Sequence, residues 1–241
     1  MTRDTRELLL AAARNNADWC DAVVRGHGPA GAFTPDHWAS ARRTPPLYPD
    51  AVTLAPGAAA ASLVAGIDIE APGCSVKDSF GDLDLAGHGF EVLFEAEWIH
   101  RPAGVPVPEA ASGLEWSQVA TAGELEAWEA AWDGEESTGL FRPALLGEDI
   151  AFLAARSGGR IVAGAVASTG GGVVGLSNLF THDDAAVGAD IDAVWAGALA
   201  AIAAHWPDLP VVGYEHGDDL DAAVRAGFTP IGPLRVWLHT P

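Results

Sequence analysis

The 241-residue sequence predicts an α/β (α+β) fold in two parts, and three stretches carry that prediction. In Val211 to Leu238 an apolar run leads into a polar-capped helix, Gly227-Phe228 halts it, and a second apolar run reaches Trp237. That order reads strand, helix, glycine stop, strand. In Ile150 to Phe180 three β-rich runs are separated by Ser157-Gly158-Gly159 and by Gly170-Gly171-Gly172, which are turn residues. Pro102 to Pro108, PAGVPVP, has little that could fold alone. It is read as the linker between a smaller N-terminal α/β region, residues 1–103, and a domain at 110–241.

Along the N-terminal region, apolar side chains at Leu8, Ala12, Trp19, Ala22 and Val23 recur with helical spacing over residues 4–25, and Gly26 and Gly28 end the run. The next segment, PDHWASARRTPPLYPD, reads as a short helical start followed by a loop fixed by Pro45, Pro46 and Pro49. Arg42-Arg43 within it is a candidate clasp for a phosphate or carboxylate, or a salt-bridge partner for the acidic surface. Ala51 to Leu54 reads as a strand, and Gly57 to Gly66 as a helix. Gly81-Asp82-Leu83-Asp84, Gly89-Phe90 and the apolar run to Trp98 then echo the Gly217-Asp218-Asp219-Leu220, Gly227-Phe228 and Trp237 of the closing stretch. The echo reads as an internal repeat of one supersecondary unit, with the N-terminal region a truncated copy.

Beyond the linker, Leu114 to Ala120 reads as a strand. Thr121 and Glu124 have the spacing of a capping box for a helix that puts Leu125, Trp128 and Trp132 on one face. Arg142-Pro143 opens another short helix. After the three strands, a long helix from about Ala189 to His205 carries Ile191, Val194, Trp195, Ala198, Leu199 and Ile202 as one stripe.

Composition narrows the function classes. A formal charge of -20, from 33 acidic against 13 basic residues with no basic run, disfavours nucleic acid as a partner. No apolar stretch is long enough to cross a bilayer and the start lacks a signal-peptide layout, so a cytoplasmic protein with no membrane partner is expected. Cys20 and Cys74 form no CxxC and read as reduced thiols. Histidine spacing provides no HxH or HExxH, so no metal is expected.

The succession from residue 114 to 241 resembles the GNAT-type N-acetyltransferases: strand, two helices, three meandering strands, helix, strand, helix, strand. The resemblance implies a mixed central sheet flanked by helices, with acetyl-CoA pairing to Val173–Phe180 and its pyrophosphate on backbone N–H groups where the long helix starts. Leu179, Phe180, Thr181, Val187, Gly188 and Ala189 are the cofactor-binding candidates it implies. The family's loop motif, Arg or Gln, two residues, Gly, one residue, Gly or Ala, would begin here at Ala185, where only Gly188 matches and Asp190 stands at the end. Asp183 and Asp184 add carboxylates that would repel the phosphates. The tyrosine that often protonates the family's leaving thiolate is replaced by Ala223.

Proton transfer then falls to Tyr214, Glu215 and His216, with Tyr214 and His216 on one side of a strand and Glu215 on the other. Ser177 and Asn178 are weaker catalytic candidates, and polar residues there equally suit a strand bulge. Two functions are expected in competition. One is an acyltransferase moving acetyl from acetyl-CoA to a small amine, and the other a non-catalytic binding or dimerisation module, with a homodimer as its simplest form. A groove filled by Phe180 or Trp195 would favour the second.

Overall fold

The structure, a computed structural model, describes residues 3–109, 113–134, 139–182 and 190–240. In chain order its elements are α1 (Arg3–Arg25), β1 (Ala32–Phe33), β2 (His37–Ala39), β3 (Ala51–Thr53), α2 (Ala60–Val64), β4 (Ser75–Asp78), β5 (Phe90–Arg101), β6 (Glu115–Gln118), α3 (Ala122–Asp133), β7 (Ile150–Ser157), β8 (Arg160–Gly170), β9 (Val173–Thr181), α4 (Ile191–His205), β10 (Val211–Glu215), α5 (Gly217–Arg225) and β11 (Thr229–His239), with single 3-10 turns at Ala86–His88 and Pro143–Leu145. Compactness divides the chain inside β5. One unit is Met1–Trp98 with Pro230–Pro241, and the other is Ile99–Thr229. The chain's last strand thus counts with the first unit, and Pro102 to Pro108 lies within the second.

In the first unit the strand order is β1-β2-β3-β4-β11-β5. β1, β2 and β3 pair antiparallel. The chain then crosses through α2, and β4 lies parallel to β3 with Ala51 opposite Val76 and Val52 opposite Lys77. β11 pairs antiparallel with β4. Leu63, Cys74, Val76, Leu85, Phe90 and Trp237 share a core. The expected N-terminal helix forms as α1, burying Leu9, Ala12, Trp19, Cys20 and Val23. Its Asp21 carboxylate accepts from the Gly31 N–H and the Trp38 indole, each at 2.9 Å. Gly31 is needed there, since a Cβ would collide with that indole ring.

Three expectations for this unit resolve differently. The helical start at PDHW is instead strand β2: Thr34 Oγ1 accepts the His37 N–H at 3.0 Å, and pairing with β3 extends the backbone. Arg43 holds a carboxylate of the chain itself, donating to both oxygens of the buried Asp50 at 2.9 and 3.0 Å. The echo of the closing stretch keeps a glycine with positive φ before its strand, Gly89 at 82° and Gly227 at 92°. It lacks the helix, however. Asp78 accepts the N–H groups of Phe80 and Leu83 at 3.2 and 3.0 Å, and Asp84 accepts that of Ala86 at 3.1 Å. These side-chain bonds take donors that a helix would use, and one 3-10 turn is left.

In the second unit β6-β7-β8-β9 form an antiparallel meander, β10 lies parallel to β9, and the end of β5 lies beside β10. The capping box forms as the spacing predicts: Glu124 N–H donates to Thr121 Oγ1 at 3.3 Å and Thr121 N–H to Glu124 Oε2 at 3.0 Å. Trp128 of α3 is fully buried, donates its indole N–H to Leu153 O at 2.8 Å, and packs edge-on against Phe141, Phe152 and Phe180. A second core joins Trp195, Ala198, Leu199 and Ile202 of α4 and Ala222 and Ala223 of α5 to Val174, Leu176 and Val211 of the sheet.

Candidate active site

β9 and β10 pair only at their starts, with Val211 opposite Val174 and Val212 opposite Gly175. Both strands run on, to Glu215 and Thr181, so the ladder ends while the strands continue. Gly213 follows the last pair, and an added Cβ there would lie 3.1 Å from Leu176 O. Just beyond, β9 carries a bulge. Val166 of β8 faces Ser177 and Gly164 faces Phe180, so Ala165 opposes both Asn178 and Leu179. Asn178 has φ 52°, the left-handed region that asparagine tolerates better than most residues.

The extra residue reverses the facing of everything after it. Val174 and Leu176 belong to the core under α4, and without the bulge Phe180 would follow them. Instead Leu179 packs against that core, while Phe180 turns to Trp128 of α3 at 5.3 Å and to His182 at 5.9 Å. Trp195 is edge-on to Phe228 at 5.2 Å. Both rings named as possible fillers of the groove are therefore engaged with partners on opposite faces of the sheet.

Strand alternation sets the β10 side chains. Val211 lies in the core with α4 and α5, so Glu215 shares that face and Tyr214 takes the other. The pairing register, carried forward, sets Glu215 level with Asn178 on the neighbouring strand. Burial pushes the Glu215 carboxyl up to about 7, and the Asp219 carboxylate in the first turn of α5 adds to the shift. Among the described residues no hydrogen bond or ion pair offsets it. Tyr214 is half-buried, and His216 is exposed as the N-cap residue of α5. Thr181 is half-buried opposite Ala163. The sequence reading did not foresee Asp219, whose signal was only its place one helical turn after Glu215.

At the expected phosphate end, Val187, Gly188 and Ala189, with Asp183, Asp184 and Ala185, lie outside the described residues. The described chain resumes at Asp190, the N-cap of α4, whose carboxylate accepts the Asp192 N–H at 3.4 Å. Asp192 in turn is held by Arg225 of α5 at 2.8 Å. Ala223, at the position of the family's usual tyrosine, is buried in the core. Among the described residues no group of three His, Cys, Asp or Glu side chains could hold a metal, and no helix is long and apolar enough to cross a membrane.

No family model matches the sequence, and no curated protein matches it. Solved structures do. A GCN5-related N-acetyltransferase from Kribbella flavida superposes with a TM-score of 0.62 at 19% identity, over 93% of this chain and 95% of that one. A protein of the GNAT family from Novosphingobium aromaticivorans gives 0.57 at 14% identity, over 95% and 97%. A GCN5-related N-acetyltransferase from Sphaerobacter thermophilus gives 0.50 at 13% identity, over 70% and 61%.

The chain has the GCN5-related N-acetyltransferase fold. The likeness spans both units and extends well beyond the C-terminal half on which the sequence resemblance rests. At these identities it establishes architecture, and the activity has to be argued from the site.

Proposed function

We propose that the chain is an acyltransferase of the acetyl-CoA-dependent kind, acting on a small amine, with Glu215 as its general base. One observation carries the reading: a half-buried carboxyl raised to about 7, with no bonding partner among the described residues, stands at the end of β10, level with the β9 bulge and beyond the last β9–β10 pair. A base poised near neutrality can take a proton from an ammonium without being permanently protonated itself. The acidic pair Glu215 and Asp219 favours a cationic acceptor. The bulge takes backbone out of the β8–β9 ladder, and N–H groups freed in this way suit an acyl carbonyl. Tyr214 and His216 are the candidates for returning a proton to a leaving thiolate.

Acetyl-CoA, when bound, supplies the activated thioester. The residues present fit its two ends unequally. Between β9 and β10 the ladder ends after two pairs while both strands continue, which leaves backbone beyond it for an extended arm. At the start of α4, Asp190 adds a carboxylate at the end expected to take the diphosphate, and Arg225 beside it is already bonded to Asp192. Weak binding of the whole cofactor is the expected result. Isothermal titration with acetyl-CoA tests the reading, and no heat at millimolar ligand would end it.

Asp190 and the buried Ala223 favour a second reading, a binding module that has lost the chemistry. Acetyl-CoA binding without turnover across a panel of small amines would decide for it.

A further inference from the structure

The second unit holds a cavity of about 120 Å³ at the opposite end of β10 from Glu215. It lies between the Arg101–Val105 segment, the C-terminal half of α4 at Leu199, Ile202 and Trp206, and the stretch from Leu209 to Val211. Apart from Arg101, which is only 5% exposed, the side chains that line it are aliphatic or, at Trp206, aromatic. Arg101 donates Nε to Ala226 O at 3.1 Å, one terminal nitrogen to Val105 O at 3.2 Å and the other to Pro106 O at 2.7 Å. Among the described residues its remaining N–H groups have no hydrogen bond, and no carboxylate lies within ion-pair distance. Burial holds this guanidinium below its ordinary pKa. A cation buried on carbonyl dipoles alone is an incomplete arrangement, because each such charge removed from water calls for an anion.

We propose that this cavity binds a short aliphatic monocarboxylate, with its carboxylate on Arg101 and its alkyl body against Leu199, Ile202 and Trp206. The guanidinium fork matches a carboxylate in two-point contact. The volume is close to the roughly 150 Å³ of a cavity that accepts benzene, which limits the ligand to about six non-hydrogen atoms. Inorganic phosphate or sulfate would leave the apolar wall unused. The chain's formal charge of -20 opposes any anion at long range, so affinity in the millimolar range is expected.

Calorimetric titration of the full chain with butyrate and butyramide tests the assignment independently of any transferase activity. Saturable butyrate heat is expected, with butyramide at least about tenfold weaker. Ala203 is exposed at the rim, so Ala203→Leu should fill the cavity, leave the fold intact and abolish the butyrate heat. Arg101→Met should do the same if it folds, and the Ala203 variant decides the matter if it does not. Equal binding of butyrate and butyramide, no heat at tens of millimolar butyrate, or full binding by Ala203→Leu would overturn the proposal.

Discussion

β3 with β4 in the first unit and β9 with β10 in the second are the same device. Each is a parallel pair at the end of an antiparallel meander, with a helix crossing between, and each ladder is only two residue pairs long. Past the ladder the two regions differ. After β4 the chain closes on itself: Asp78 accepts the Phe80 and Leu83 N–H groups, and Thr53 Oγ1 accepts the Ser79 N–H at 2.8 Å. After β10 the carboxylate is not used in this way. Among the described residues the Glu215 carboxyl has no such bonds, and the bulge at Asn178 adds backbone that the ladder does not use. A carboxylate whose bonds are all internal serves the fold, whereas one kept in a half-buried site without bonds costs stability and is available for chemistry.

The largest effect should separate the two carboxylates by activity. Glu215→Gln is expected to lower kcat for acetyl transfer by about 10²–10⁴, read in a thiol-release assay, and a wild-type rate would remove Glu215 from the mechanism. Next, the same two positions should respond in opposite directions in urea melts. Asp78→Ala leaves buried N–H groups without acceptors and should cost about 3 kcal/mol.

Glu215→Gln should instead stabilise the chain at pH 8, by about 2 kcal/mol after allowing for its partial exposure. The sign comes from its folded pKa of about 7 standing above the ordinary 4.5. The unfolded chain releases this proton first, so its contribution to stability falls as pH rises from 4.5 to about 7 and is level above that. Melts at a series of pH values should show the variant's advantage growing across that window and absent below it. An advantage that does not change with pH would contradict the burial.

The smallest effect concerns the bulge. At φ 52°, Asn178→Gly should change stability by less than about 1 kcal/mol and Asn178→Val should cost about 1–2 kcal/mol, because a β-branched side chain resists that conformation. Equal melts for the two would mean the bulge is not held as described.

Much of this architecture was legible in the chain. Thr121 with Glu124, the two glycine turns of the meander, and the strand, helix, Gly-Phe, strand ending all form where their residues predict. Each depends on bonds or dihedral limits within a few residues of itself, and such local terms are written directly in sequence. The helix expected at PDHW failed because pairing with β3, a distant partner, outweighed local preference. The helix in the earlier echo failed because aspartates at Asp78 and Asp84 took the donors instead.

For the site, the sequence by itself named Tyr214, Glu215 and His216 and put Glu215 on its own side of the strand. Only the tertiary structure showed that burial and Asp219 act together on the Glu215 carboxyl. A pKa depends on what surrounds the group, and α5 folds Asp219 back toward Glu215 while burial removes water from it. The bulge likewise had to be seen in its pairing, since one extra residue in β9 sends Leu179 to one core and Phe180 to the other. Alternation along a strand is a sequence property; where that alternation skips is set by the neighbouring strand.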